Sequence, residues 1–357
     1  MNFTFTEDQL MFHDSVKSFL TNEVTPERIR ELWESDTGRS SELWGQLAEL
    51  GLTAMTVPEA FGGLGMNELD FVLLAEECGY TALPEALVET VMVAVPLISS
   101  LGDEQAEFKE SWLSRIATGE ARVAVGHPDN PLVPDAHVAD LLLLANGDEV
   151  HALSQGQVQL TENPSVDPSR KLFTVEWTPS TETLISGAGI ADGTAGKQLW
   201  QDALDRGALA VAAQQLGLAR KMVDLSVDYT FERKQFGKPI GSFQAVKHLM
   251  SNVAVQIEFA KSPLYKAAYS VAYGLNSRAK DVSHARLVTT DAAMLGAKNG
   301  IQSHGAMGYT WEVDLQIFMK RAWALASSYG TQGFHKQRIK QFILADEAQL
   351  GAGSTFA

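Results

Sequence analysis

The chain has 357 residues, 45% of them hydrophobic, which is enough apolar material for two or three packed units and more than one typical core requires. Its 44 acidic residues outweigh 28 basic ones, and the resulting formal net charge of −16 argues against nucleic acid or an anionic membrane surface as the main partner. The single cysteine, Cys78, excludes an internal disulfide and a thiolate metal site and suits a reducing, cytoplasmic setting.

The stretch from Met1 to Leu10 carries Glu7 and Asp8 where a secretory signal would carry basic residues, and no apolar run reaches the ~20 residues of a membrane span. A soluble protein without a membrane span is expected. From Thr6 to about Thr118 apolar residues recur at spacings of three and four, as in Leu43, Leu47, Leu50 and in Phe71, Leu74, Ala75, Cys78. That period predicts a helical unit over residues 1–119, with Thr6 capping its first helix. Val57 to Gly65 is a glycine-rich loop between two of these helices, read first as a connection and second as a place where backbone could approach a ligand.

From about Glu120 to Ala195 the pattern turns to short β-type runs: Arg122 to Val125, Leu141 to Leu144, Glu149 to Leu153, Val158 to Leu160 and Leu172 to Val175. Asn146-Gly147 predicts a hairpin. Pro128, Pro131, Pro134, Pro164, Pro168 and Pro179 exclude long helices, so residues 120–195 read as a small β-domain.

Helices resume over residues 196–357. Leu204, Ala208, Ala212, Leu216, Ala219, Val223 and Val227 form one apolar stripe that runs up to Arg233. A second long helix is predicted from Ser242, as its cap, and a third over roughly Lys280 to Asn299. The turn His304-Gly305-Ala306-Met307-Gly308-Tyr309, with Gln302 just before it, leads to a last pair of helices. His248 and His304 read as hydrogen-bonded structural residues, Trp311 as core, and Glu312 as a member of an interhelical ion pair.

Arg233-Lys234-Gln235-Phe236-Gly237-Lys238-Pro239-Ile240 is open to two readings. Basic residues followed by Gly and Pro are a common way to stop a helix. The same residues offer a guanidinium fork suited to a pyrophosphate, amide groups at Gln235 and Gln244, and an apolar face at Phe236.

Arg233 to Ile240 with Gln244, Trp44 to Leu52 with Pro58 to Gly65, and Gln302 to Tyr309 with Thr310-Trp311-Glu312 occur in an order that resembles the acyl-CoA dehydrogenases. The resemblance implies a mainly α fold: an N-terminal helical domain, a middle β-barrel-like domain and a C-terminal four-helix bundle. It also implies an FAD cofactor and α,β-dehydrogenation of an acyl-CoA thioester, with electron-transfer flavoprotein as a possible acceptor. The positions that in relatives reach the FAD of a neighbouring subunit are Arg233, Gln235, Phe236, Gln244, Gln302, Gly305 and Ala306, the last replacing a glycine.

The two positions at which relatives carry the proton-abstracting glutamate correspond to Gly330, within Ser328-Tyr329-Gly330-Thr331, and Gly207. Asp205 is the remaining candidate base, although two positions along a helix turn a side chain ~200° away. Gly126 to Asp135 stands where relatives carry a flavin- and substrate-binding segment and keeps only its proline, Pro128. The resemblance therefore implies a chain that keeps the half of a cofactor site serving a neighbour and lacks its own half. It is similar to the short subunit of heteromeric acyl-CoA dehydrogenases, such as those bacteria use on steroid side-chain thioesters, in which a homologous subunit completes an α2β2 assembly. The alternatives are a self-sufficient homo-oligomeric dehydrogenase, an acyl-CoA oxidase or flavin monooxygenase of similar architecture, and a flavin-free helical scaffold.

Overall fold

The computed structural model describes residues 4–187, 195–345 and 351. The boundary expected at residues 195 and 196 abuts residues 188–194, which lie outside the described residues, as do the first three residues of the acidic N-terminal stretch.

The N-terminal helices are α1 (Glu7–Glu23), α2 (Pro26–Trp33), α3 (Ser41–Glu49), α4 (Glu68–Tyr80), α5 (Leu87–Glu89), α6 (Val95–Ser99) and α7 (Ala106–Ala117). Short polar side chains start the first four. Thr6 and Gln9 form a reciprocal capping box on α1, and Thr25, Ser40 and Asn67 accept from the first-turn amides of α2, α3 and α4. A single π-helical stretch, Thr90–Ala94, joins α5 to α6. The glycine-rich loop is a connection: the Leu64, Gly65 and Met66 amides donate to the carbonyls of Ala54, Val57 and Met55.

The middle region forms two small sheets. One has β1 (Val123–Gly126), β3 (Leu141–Asn146), β4 (Glu149–Leu153) and β7 (Leu184–Ser186) in the order β1-β3-β4-β7, with β1 and β3 parallel. The other has β2 (Val133–Pro134), β5 (Gln159–Asn163) and β6 (Leu172–Glu176) in the order β2-β6-β5. The hairpin predicted at Asn146-Gly147 joins β3 to β4 with Asn146 paired to Glu149. Alternation explains why β3 can be four consecutive leucines. Val123, Val125, Leu141 and Leu143 join the helical core, whereas Ala124, Leu142 and Leu144 pack with Val133 and Phe173 of the second sheet.

The C-terminal helices are α8 (Ala195–Glu232), α9 (Gln244–Ala272), α10 (Arg278–His304), α11 (Leu315–Leu325) and α12 (Gln332–Ile343). The first three pack on one another, α11 and α12 lie against α10, and α4 from the N-terminal unit lies against α8 and α9. The third long helix thus extends at both ends beyond the predicted Lys280 to Asn299. Gly217 makes the α4–α8 contact possible, because a Cβ there would lie 1.9 Å from the Glu76 carbonyl oxygen. That approach brings Arg220 onto Glu76 and Glu77, at 2.6 and 2.9 Å. Among the described residues no helix is long and apolar enough to cross a membrane.

Candidate functional site

The end of α8 runs directly into a tight hairpin. Strands β8 (Lys234–Gln235) and β9 (Lys238–Pro239) pair antiparallel, and the two residues between them, Phe236 and Gly237, have φ of 54° and 79°. Two successive left-handed residues make a turn whose twist matches the strands, but the first position ordinarily calls for Asn, Asp or Gly. A phenylalanine held in that conformation with 91% of its surface exposed carries backbone strain and gains no burial in return. Its ring meets Phe243 edge-on at 6.1 Å, and the Lys238 ammonium lies 4.5 Å from the centre of the Phe243 ring.

Helix α9 starts without the expected side-chain cap. Ser242 sits in a 3-10 turn, where its hydroxyl donates to the Pro239 carbonyl at 2.7 Å, and the N-cap residue is Phe243. The correction has a local cause: Pro239 and Ile240 fold the chain into a tight turn whose carbonyl claims the hydroxyl before the helix begins. Gln244 is the first residue of α9 and is exposed.

The end of α10 reaches the same place. His304 is buried, its Nδ1 hydrogen-bonded to the Gly300 carbonyl at 2.8 Å, and its ring stacks on Tyr229, one turn before Arg233. Burial holds the His304 imidazole below the usual histidine pKa, so it is neutral at neutral pH. Gly305 then takes φ 60° and ψ −133°, a conformation open to glycine alone, and turns the chain outward. A second tie runs from Asn299 Nδ2 to the Leu249 carbonyl at 2.8 Å, linking α10 to the first part of α9. The ends of α8 and α10 and the start of α9 therefore share one corner of the bundle. Arg233, Gln235, Phe236, Gln244, Gln302, Gly305 and Ala306 are all exposed on these segments.

The neighbourhood of this corner revises three expectations. Trp311 is 65% exposed rather than core, with the Lys320 ammonium 3.5 Å from its ring centre, because it follows a short 3-10 segment instead of lying on a helix face. Glu312 is exposed, and the ion pair in this segment is made by Asp314, which bonds Arg30 of α2 at 2.5 Å. His248 is also exposed and its ring makes no hydrogen bond among the described residues, so it is not the hydrogen-bonded structural residue that was expected.

The interior positions differ sharply from the corner. A Cβ added at Gly207 would meet ring atoms of Tyr329 at 2.3 to 2.5 Å, and one at Gly330 would meet Phe334 at 2.5 Å and His335 at 2.9 Å. The chain's own aromatic rings thus fill the space in front of both positions. Asp205 has other neighbours: Arg338 at 2.6 Å and Arg278 at 3.5 Å, in a buried ion cluster where burial raises its pKa and the arginines oppose the rise.

Tyr329 is the centre of this interior. Its hydroxyl bonds Glu89, its amide donates to Asn130 Oδ1 at 2.8 Å, and its carbonyl accepts from His335 Nε2 at 3.0 Å. Glu89, pointing in from the start of the π-helical stretch, is pushed up to about 7 by burial. The segment from Gly126 to Asp135 closes down on the same residues. His127 is 3% exposed, its Nε2 lies 2.9 Å from the Trp200 carbonyl oxygen, and its ring packs against both Trp200 and Tyr329 with centroids 5.6 Å away. Behind the loop, the buried Arg286 donates to the carbonyls of Leu325, Ala326 and Ser328, and burial lowers its pKa to about 9.

Sequence reading did not find Glu89, Tyr229 or Tyr329. A lone carboxylate inside the apolar run from Ala86 to Leu97 was a readable signal for the first. Nothing local marks the other two, whose partners lie far along the chain.

Family models described as acyl-CoA dehydrogenase, N-terminal domain and acyl-CoA dehydrogenase, C-terminal domain match residues 6–120 and 194–344. The chain is 31% identical to acyl-CoA dehydrogenase IpdE2 of Mycobacterium tuberculosis over 88% of this chain and 91% of that protein. Its fold is similar to a chain of the ChsE4-ChsE5 complex from Mycobacterium tuberculosis, with a TM-score of 0.86 at 22% identity over 99% of this chain and 100% of that one. It is also similar to PigA in its FAD complex, with a TM-score of 0.82 at 19% identity over 96% and 98%.

Proposed function

The chain belongs to the acyl-CoA dehydrogenase family, and on that premise we propose that it is one subunit of an FAD-dependent acyl-CoA dehydrogenase that completes the flavin site of a homologous partner. One contrast carries the reading. The seven residues matched to the neighbour's cofactor are exposed at one corner, while the matched interior positions Gly207 and Gly330 are packed against Tyr329 and against Phe334 and His335, with His127 and Trp200 on the far side of Tyr329.

The donor set fits a dinucleotide approaching from outside. Arg233 presents a guanidinium to pyrophosphate oxygens, Gln235, Gln244 and Gln302 present amides, and Phe236 presents an apolar ring face. At Gly305 and Ala306 the outward turn offers backbone, so the methyl group of Ala306 is tolerable. The contacts of His127 with Trp200 and Tyr329, in the segment matched to the chain's own flavin-binding part, support the reading that it holds no isoalloxazine itself. Bound flavin supplies the hydride acceptor when the β-hydrogen of a thioester leaves. This chain's part is to hold and orient the nucleotide, and the carboxylate that removes the α-proton is assigned to the partner because Gly207 and Gly330 carry none.

The likeness to a chain from a two-protein complex supports pairing with a homologous subunit, which we place in an α2β2 arrangement. A lipid or steroid side-chain thioester as substrate, an electron-transfer flavoprotein as acceptor and a cytoplasmic location complete the reading. The self-sufficient alternative would need Asp205 as base, and its arginine partners leave that carboxylate engaged in an ion cluster.

Co-expression with a homologous partner tests the proposal through the absorption spectrum and subunit count of the purified assembly. A yellow, thioester-oxidising complex containing both chains is expected. Arg233→Ala in that complex should weaken flavin binding by about tenfold or more, the effect of one charge-assisted hydrogen bond. A lone chain that is yellow and desaturates a thioester would sink the proposal.

A further inference from the structure

We propose that a small polar cavity where the N-terminal helices, the β-domain and the C-terminal bundle meet binds one planar oxyanion of formate size. The cavity has a volume of about 50 Å³ and is lined by Arg39, Glu85, Glu89, Asp135, Arg170 and Arg321. That is roughly three to five times the volume one water needs, so it admits an ion of three or four heavy atoms and no nucleotide.

Its charges are matched with one exception. Arg39 pairs with Asp135, Arg321 pairs with Asp167 just behind the wall, and Glu85 faces Arg122 at 3.5 Å while accepting the Ser40 amide at 2.7 Å. Arg170 donates to the Ser328 hydroxyl at 3.2 Å and makes no carboxylate ion pair among the described residues. Glu89 would be its natural counter-charge. Burial, aided by the Asp135 charge and opposed by Arg170 and by the Tyr329 hydroxyl, pushes that carboxyl up to about 7, so near neutral pH much of it is uncharged.

Two donors remain to be satisfied. The Nε atoms of Arg39 and Arg170 are buried without a hydrogen-bond partner, and Arg39 as a whole is 9% exposed. A buried cation without a counter-charge is costly, and a planar oxyanion would supply acceptors for the Arg170 guanidinium and the missing negative charge. The backbone around the cavity is strained in keeping with a binding site. Of the four non-glycine residues with positive φ among the described residues, Asp135 lines it, Tyr329 bonds Glu89, and Ala82 precedes Leu83, whose carbonyl accepts from Arg321. The fourth is Phe236, at the exposed corner.

This inference does not rest on the proposed flavin role, and its test uses neither flavin nor thioester. The thermal midpoint of the full chain is followed against sodium formate, with sodium chloride at equal ionic strength as the reference. At pH 6.5 formate should raise the midpoint saturably, and nitrate, which is planar and does not titrate, should do the same. At pH 8.5 ionised Glu89 competes with the anion, so the apparent affinity should fall by more than about tenfold. Arg170→Met should abolish the formate response, and Glu89→Gln should keep it at pH 8.5. If Arg170→Met does not fold, the Glu89→Gln comparison decides alone. Identical midpoints in formate and chloride would mean that the cavity holds only water and would overturn the proposal. So would a wild-type response from Arg170→Met, or an unchanged pH dependence in Glu89→Gln.

Discussion

Tyr229 and His304 lie ring against ring, with centroids 4.2 Å apart and planes 20° from parallel, and the Tyr229 hydroxyl also donates to the His304 carbonyl at 3.4 Å. The stack ties the segment that bears Arg233 to the one that bears Gln302 and Gly305. Tyr229→Ala should weaken flavin binding by the assembled enzyme about two- to tenfold, in line with ~0.5 to 1.5 kcal/mol for an aromatic pair. Tyr229→Phe keeps the stack and should bind flavin like the parent. Flavin fluorescence released on dilution measures both, and equal release from all three proteins would remove the stack from any positioning role.

Gly207→Glu introduces a carboxylate at one of the two positions that the resemblance matches to the base, and it should still fail. Its Cβ would enter the Tyr329 ring at 2.3 Å, so the variant should lose about 1 to 3 kcal/mol of stability, as overpacked cores do. Thioester desaturation by this variant alone should stay at background. Turnover would show that the interior opens more readily than its packing implies.

Glu89 gives stability a pH dependence of definite sign. Its folded pKa of about 7 lies above the ordinary 4.5, so the native state holds the proton more tightly. The contribution is fully present below pH 4.5 and is lost as pH rises through about 7, and it amounts to about 3 kcal/mol. Denaturant unfolding of the parent and of Glu89→Gln at pH 5 and 8 should differ in slope accordingly. Parallel pH profiles would count against it.

His13 acts on a different helix. Its hydrogen bond to Glu77 raises its pKa against the opposing effect of burial, and Asp14 adds to the rise. A raised histidine stabilises fully below its ordinary 6.5 and loses that contribution as pH climbs through the higher folded value. Hydrogen exchange along α1, corrected for the intrinsic rate, should therefore quicken by about threefold between pH 5.5 and 8.5, the scale of a weak ion pair. In His13→Gln the change should vanish.

Much of this was legible from the chain because the signals were local. The capping Thr6, the Asn146-Gly147 hairpin and the three-four spacing of α4 depend on residues a few positions apart, and each appears in the fold as expected. β2 and β7 were not legible, since two or three residues such as Val133-Pro134 carry no period. The motif residues could be named from resemblance, but their shared outward direction depends on Tyr229 meeting His304 from 75 positions away. The closure of the interior depends on Glu89 and Tyr329, 240 positions apart, and no spacing rule reaches that far. Trp311 misled because hydrophobicity alone assigns an indole to the core, while a lysine resting on its face lets it stay outside.

The seam formed by His127, Trp200 and Tyr329 bears on the order in which an enzyme of this kind would mature. A protein whose heart is reserved for a coenzyme waits for the vitamin that makes it, half-finished and open to proteases. Here the wall is already protein against protein, so on the proposed reading this polypeptide can fold without a flavin of its own. On that reading, it would be folded before a partner takes up the cofactor.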